Sequence, residues 1–160
     1  MTYLLDTNIF ITAKNELPID VYPSFWQKLS QLAANGAFRS IKKVEEELRK
    51  GKDELVVWID NNLPKDFFIP ESADTLVALS TVSQWTTNSA VYTPAAKSEF
   101  ALVADSWIIA EALSQSMTVV TFETPDPSCK KRVKIPDVCN AVGVNFCDLN
   151  TAFRRLGVTI

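Results

Sequence analysis

Two short apolar runs constrain this chain most, because each ends directly on an acid. Tyr3-Leu4-Leu5 is followed at once by Asp6, and Met117-Thr118-Val119-Val120-Thr121-Phe122 is followed at once by Glu123. A short apolar run without alternation fits a strand buried on both faces, as in a parallel sheet covered by helices. The second run is rich in β-branched residues and bounded by Ser116 and Pro125, which makes it the clearest strand signal in the chain. After Asp6 come Thr7 and Asn8, whose side chains accept hydrogen bonds from the free amides that open a helix. The opening therefore reads strand, acid, helix. Open α/β sheets bind ligands beyond the carboxyl ends of their strands, and Asp6 and Glu123 fall at that edge.

The intervening chain continues the alternation. A helix from Thr7 to the Lys14-Asn15 region is followed by one from Pro23 that buries Leu29, Leu32 and Ala33 and stops at Gly36. Ala37-Phe38-Arg39 is a short strand, and Ser40 is placed to cap a third helix over Ile41 to Lys50. Asp53 caps a helix through Ile59, and Phe67-Phe68-Ile69 is a strand or a packed loop. Glu71 to Thr86 is helical, with Leu76, Leu79, Val82 and Trp85 as its core stripe. Pro94 opens a short helix through Phe100, and the next helix turns Ile108, Ile109 and Ala112 inward with Asp105 in its first turn. A loop from Pro125 to Pro136, a helix to Gly143, a strand over Val144 to Cys147 and a final helix capped by Asp148 complete the pattern. Helices alternating with buried strands predict an α/β fold around a parallel sheet, and 160 residues without repeats or linkers predict one domain, residues 1–160.

Histidine is absent, which removes Ser-His-Asp and Cys-His catalysis and His-ligated zinc or iron. Cys129, Cys139 and Cys147 form no CxxC pair and too few thiols for a four-cysteine zinc site, so a reducing cytoplasmic compartment is expected. The formal net charge of -3 does not advertise nucleic-acid binding, although a bound divalent metal reverses a local field. No apolar stretch approaches the length of a membrane span and no signal-peptide pattern opens the chain, so no membrane partner is expected.

Four acids fall where they can converge: Asp6 and Glu123 after strands, Asp105 at a helix start, and Glu47 on an inward helix face shared with Val44 and Leu48. Glu45 and Glu46 point elsewhere and read as a solvated acidic face. No basic residue is placed to pair with the four at the sheet edge. Four neighbouring carboxylates stay ionised only with a cation among them. Oxygen ligation without histidine selects hard ions, Mg²⁺ or Mn²⁺, which suit phosphoryl chemistry.

At this point the sequence resembles the PIN-domain nucleases. Tyr3-Leu4-Leu5-Asp6-Thr7-Asn8 is similar to their opening hydrophobic-Asp-Thr/Ser-Asn motif, and Ser40 with Glu47-Leu48-Arg49-Lys50-Gly51 to their Ser…Glu-Leu-x-x-Gly segment. Asp105 with Ile108 to Ala112 resembles the family's Asp-bearing helix, and Val119 to Glu123 its Val-Val-Thr-x-Asp strand. Here Glu123 stands where the family more often has Asp, with Asp126 as the alternative. The Ser40-to-Glu47 interval is also one residue longer than usual. Lys134 to Cys139 resembles a less studied PIN-like subgroup.

The resemblance implies a three-layer α/β/α fold and metal-dependent cleavage of single-stranded RNA, with one or two Mg²⁺ or Mn²⁺ ions. Asp6, Asp105 and Glu123 would ligate directly, and Glu47 would complete the shell through water. Thr7, Asn8 and Thr121 would support them, and Lys130, Lys131, Arg132 and Lys134 would hold the RNA backbone. VapC-type relatives add an antitoxin protein and a homodimer as expected partners. The alternative is a non-catalytic PIN-like module that binds RNA or a protein. An aspartyl-nucleophile phosphohydrolase needs a second Asp where Asn8 stands, and a dinucleotide binder needs a Gly-rich loop after the first strand; neither is present.

Overall fold

The computed structural model describes residues 1–160. Its centre is a sheet of five strands: β1 (Tyr3–Leu5), β2 (Phe38–Ile41), β3 (Phe68–Ile69), β4 (Thr118–Val120) and β5 (Phe146–Cys147). They lie in the order β3-β2-β1-β4-β5, and every pairing is parallel. In register, Tyr3 faces Phe38 on one side and Thr118 on the other, and Leu5 faces Val120. The expected three-layer α/β/α architecture with a central parallel sheet is therefore the one observed.

Nine helices connect and cover the strands: α1 (Thr7–Glu16), α2 (Pro23–Ala34), α3 (Lys42–Arg49), α4 (Glu54–Asn62), α5 (Ala73–Asn88), α6 (Pro94–Leu102), α7 (Ala104–Gln115), α8 (Ile135–Val142) and α9 (Leu149–Arg155). The helix ends follow local chemistry. Pro23 and Pro94 sit in the first turns of α2 and α6, where a missing amide costs nothing. Asp53 and Asp148 cap α4 and α9 by accepting from Leu55 N and Thr151 N. Gly143 closes α8 at φ +80°, a left-handed conformation that glycine adopts without a Cβ penalty. One continuous core runs through both helical layers, and Phe153 of α9 stacks on Phe38 of β2 at 5.9 Å between ring centres. No helix is long and apolar enough to cross a membrane.

Three local expectations are corrected. Ser40 is the third residue of β2, not a helix cap; Ile41 occupies the cap position of α3. Fully buried, the Ser40 hydroxyl donates to Leu5 O at 2.7 Å, so it satisfies a carbonyl at the end of β1 instead of a helix amide. The inward stripe of α5 is Thr75, Ala78, Val82 and Thr86, whereas Leu76 is exposed. Ser72 and Thr75 form a capping box, and Thr75 also donates to the buried Glu111 of α7 at 2.6 Å, which places Thr75 inward; Val82 stays in the stripe and Trp85 packs partly buried against the core. Finally, β4 stops at Val120, and Phe122 projects outward with 42% exposure.

Topology places the site. From β1 the chain builds outward to β2 and β3 on one side and to β4 and β5 on the other. The direction of winding reverses between β1 and β4, and the crevice at their carboxyl ends is where such sheets bind ligands. Asp6 N donates to Val120 O at 3.1 Å, tying the two strand ends together at that point.

Candidate active site

The crevice holds a cavity of about 240 Å³ whose polar lining includes Asp6, Asn8, Glu47, Glu99, Asp105 and Arg132. Ile11, Phe100, Val103 and Val133 form apolar walls beside them.

Asp6 occupies the cap position of α1 yet makes no capping hydrogen bond. Its side chain is instead held by Thr121, whose hydroxyl donates to Asp6 Oδ2 at 3.2 Å, and the residue is 1% exposed. Burial pushes the Asp6 carboxyl up to about 7, aided by the charge of Glu123 and against the Thr121 hydrogen bond. Asp105 rides in the first turn of α7 and takes no part in capping that helix. Burial also pushes Asp105 up to about 8, with further contributions from Asp6, Glu123 and Glu47 that the smaller effect of Arg132 only partly offsets. Favourable interaction with the helix dipole is worth about 0.3–1 kcal/mol at an exposed position, too little to outweigh desolvation beside three carboxylates.

The two glutamates are placed differently. Glu47 Oε1 accepts from Ala104 N at 2.8 Å, the first amide of α7, and Glu47 Oε2 accepts from the Thr7 hydroxyl at 2.8 Å. Glu123 Oε2 accepts from Ile135 N at 2.7 Å, the first amide of α8, and Glu123 Oε1 is paired with Arg132 at 2.8 Å. Each glutamate thus fastens the N-terminus of a helix to the crevice. The Thr121 hydroxyl also accepts from Glu123 N at 3.1 Å, so one residue links Asp6 to the Glu123 turn.

The structure brings together Asp6, Glu47 and Asp105 on one cavity, with Thr7 and Asn8 in its wall. Glu123 stands at its edge, in an adjoining groove. Asp126 lines neither space; its amide donates to Asp137 and its carboxylate accepts from Ser128. As the side chains stand, no three His, Cys, Asp or Glu residues are drawn together closely enough to hold a metal ion. Of the basic loop, Arg132 and Lys134 line the crevice and groove, whereas Lys130 and Lys131 line neither. The expectation that no basic residue pairs with the acids is corrected by Arg132. The loop turns back over the sheet edge because Val133 and Ile135 are buried in the core, and this carries Arg132 to Glu123. Glu99 on α6 was not anticipated. It precedes the buried Phe100, and a nine-residue helix gives too short a pattern to show which side faces a cleft.

A family model described as "Domain of unknown function (DUF4411)" matches residues 3–160. Among solved structures, the chain is similar to one in the crystal structure of VapBC2 from Rickettsia felis bound to a DNA fragment from their promoter. That similarity has a TM-score of 0.57 and 20% identity over 92% of this chain and 98% of the other, a likeness of fold. No curated protein matches the sequence.

Proposed function

We propose that this chain, which belongs to the DUF4411 family, is a PIN-like, metal-dependent endoribonuclease that hydrolyses single-stranded RNA. The observation that carries this reading is the pair Asp6 and Asp105. Both are buried at the switch point of a parallel sheet, both are pushed far above the ordinary carboxylate range, and neither is paired with a cation. The donor set fits a hard divalent ion: oxygen ligands, excess negative charge and no histidine anywhere in the chain. One or two bound Mg²⁺ or Mn²⁺ ions would lower the pKa of a water and neutralise charge on the leaving oxygen.

Asp6 and Asp105 are the carboxylates free to hold such an ion, and Thr121 fixes the Asp6 rotamer. Glu47 and Glu123 complete the shell from the flanks, either through water or by releasing one amide bond. Asn8 offers an amide donor toward a phosphate, and Arg132 brings a cation to the cavity mouth. The apolar wall of Phe100, Val103 and Val133 thins the water around the acids and strengthens every charge interaction there.

The likeness to a VapBC2 assembly supports a further part of the proposal, that the chain is the toxin of a toxin–antitoxin pair with an antitoxin as protein partner. A second copy of the chain is proposed as another partner. A cytoplasmic setting goes with this, since all three cysteines are free thiols.

Defined single-stranded RNAs incubated with Mn²⁺ test the reading. The chain is expected to cut them and Asp105→Asn is expected not to. If the unsubstituted chain cuts nothing, or the variant cuts equally well, the proposal fails. A second reading, a non-catalytic RNA- or protein-binding module, is favoured by one observation: Glu47 and Glu123 are spent on helix amides, and no three acids close around a point. Such a module binds its partner with no requirement for Mn²⁺ and leaves RNA intact.

A further inference from the structure

Beside the acid cavity lies a second groove of about 300 Å³, within the range of small-ligand sites. Its walls include Asn8, Thr12, Phe122, Thr124, Arg132 and Lys134. Asn8 and Arg132 also line the acid cavity, so the two spaces share a wall. Phe122 is the unusual member. A large aromatic ring at the carboxyl edge of a buried strand is expected inside, yet it is 42% exposed. Its neighbours hold it in place on both sides: Thr121 is bonded to Asp6, and Glu123 to Arg132 and the α8 amide. The backbone beneath the ring is therefore anchored to the site, and Phe122 stands between this groove and a separate apolar pocket that it lines with Phe25, Leu149 and Phe153. Lys134, half-buried at the groove, has no carboxylate partner, and the one acid there, Glu123, is already paired with Arg132.

We infer that this groove is a nucleotide subsite of the acid site, in which the Phe122 ring stacks on an unpaired base and Lys134 holds the adjoining phosphate, with Thr12, Thr124 and Asn8 offering hydrogen bonds. The inference rests on reading the acid cavity as a site for single-stranded RNA. A flat exposed ring recognises any base face, and a lysine recognises a phosphate as a point charge, so the subsite favours unpaired over duplex RNA and tolerates every base. A strand laid across Phe122 and Lys134 passes Arg132 and Asn8 into the acid cavity, which sets the register between the stacked base and the phosphate beside Asp6 and Asp105.

Binding in EDTA separates this inference from the nuclease reading, because no cleavage enters the measurement. The full chain is titrated against a labelled single-stranded hexanucleotide RNA, and against the same RNA with one base removed at successive positions. Phe122→Ala is expected to weaken binding at least about fivefold, and Phe122→Trp to preserve it. At one position, removing the base weakens binding to the unsubstituted chain by a similar factor and has no further effect on Phe122→Ala. Lys134→Ala weakens all of these RNAs alike and flattens the salt dependence. Binding of RNA unchanged by Phe122→Ala overturns the inference, as do base removal and Phe122→Ala acting independently at every position, or no RNA binding at all. If Phe122→Ala weakens binding as expected but the chain cuts nothing with Mn²⁺, the subsite stands and the nuclease reading falls. Cleavage with binding indifferent to Phe122 is the reverse.

Discussion

The two aspartates and the two glutamates of the crevice carry the same charge and do opposite work. Glu47 and Glu123 each accept a backbone amide at the start of a helix, and each has a second partner in Thr7 or Arg132. Their oxygens are satisfied within the chain, and their removal leaves donors stranded. Asp6 has one hydroxyl partner and Asp105 has no hydrogen-bond donor, and burial lifts both carboxyls, to about 7 and about 8. The glutamates build the crevice, and the aspartates are left in it uncompensated. An arrangement that strands two buried acids while satisfying two others around the same crevice is poor for folding and suited to binding a cation.

The largest expected effect breaks this division if it is wrong. Asp6→Asn and Asp105→Asn should abolish RNA cleavage with Mn²⁺ while the fold is kept. Glu47→Gln keeps one acceptor oxygen for Ala104 N and can donate its amide NH2 to the Thr7 hydroxyl oxygen, so it should lose only about 10–100-fold, the usual loss for a residue that supports a ligand. Equal losses in all three variants, measured by single-turnover cleavage, would place Glu47 among the direct ligands and remove the distinction.

Next in size is a pH effect on stability. In the metal-free folded chain Asp6 and Asp105 keep their protons up to about 7 and about 8, whereas the unfolded chain loses them near 3.8. Between those limits the folded state binds more protons, so stability falls as pH rises and is lowest above about pH 8. The loss should be on the order of a few kcal/mol over that window. Thermal unfolding in EDTA from pH 4 to pH 9 should show Tm falling, Asp105→Asn should flatten the decline, and Mn²⁺ should raise Tm more at pH 8 than at pH 5. A flat profile would mean that the two carboxyls are not stranded.

Much of this was legible in the residues. The two runs ending on Asp6 and Glu123 are strands β1 and β4, adjacent in the sheet, and helical spacing put Glu47 rather than Glu46 toward the core; Glu46 is exposed. What could not be read was who partners whom. Pairing of Glu123 with Arg132 depends on a loop folding back over the edge, a matter of where Val133 and Ile135 find burial rather than of any local pattern. Ser40 precedes a helix and has a capping side chain, yet the partner that decides its role, Leu5 O, is 35 residues away in sequence. The start of α5 likewise depends on Glu111, a buried acid that bonds Thr75 inward while Leu76 lies outside. Periodicity finds which face is apolar; it does not see a polar group that needs a partner from another element.

The smallest expected effects sharpen the contrast within the glutamates. Glu47→Ala strands Ala104 N, in a residue 2% exposed, and the Thr7 hydroxyl, and should cost about 2–3 kcal/mol. Glu123→Ala strands Ile135 N, but the guanidinium of Arg132, half-exposed, returns to water with little loss. Removing Glu123 also relieves Asp6, on which its charge bears more heavily than that of Glu47. That relief exists only where Asp6 and Asp105 are ionised. The net cost of Glu123→Ala in metal-free chain should therefore be about 1–2 kcal/mol at pH 5 and smaller at pH 8.5, while that of Glu47→Ala changes less with pH. Urea unfolding of both variants at the two pH values checks this. A cost for Glu123→Ala that grows with pH would mean that its charge stabilises the crevice through Arg132 more than it burdens the aspartates.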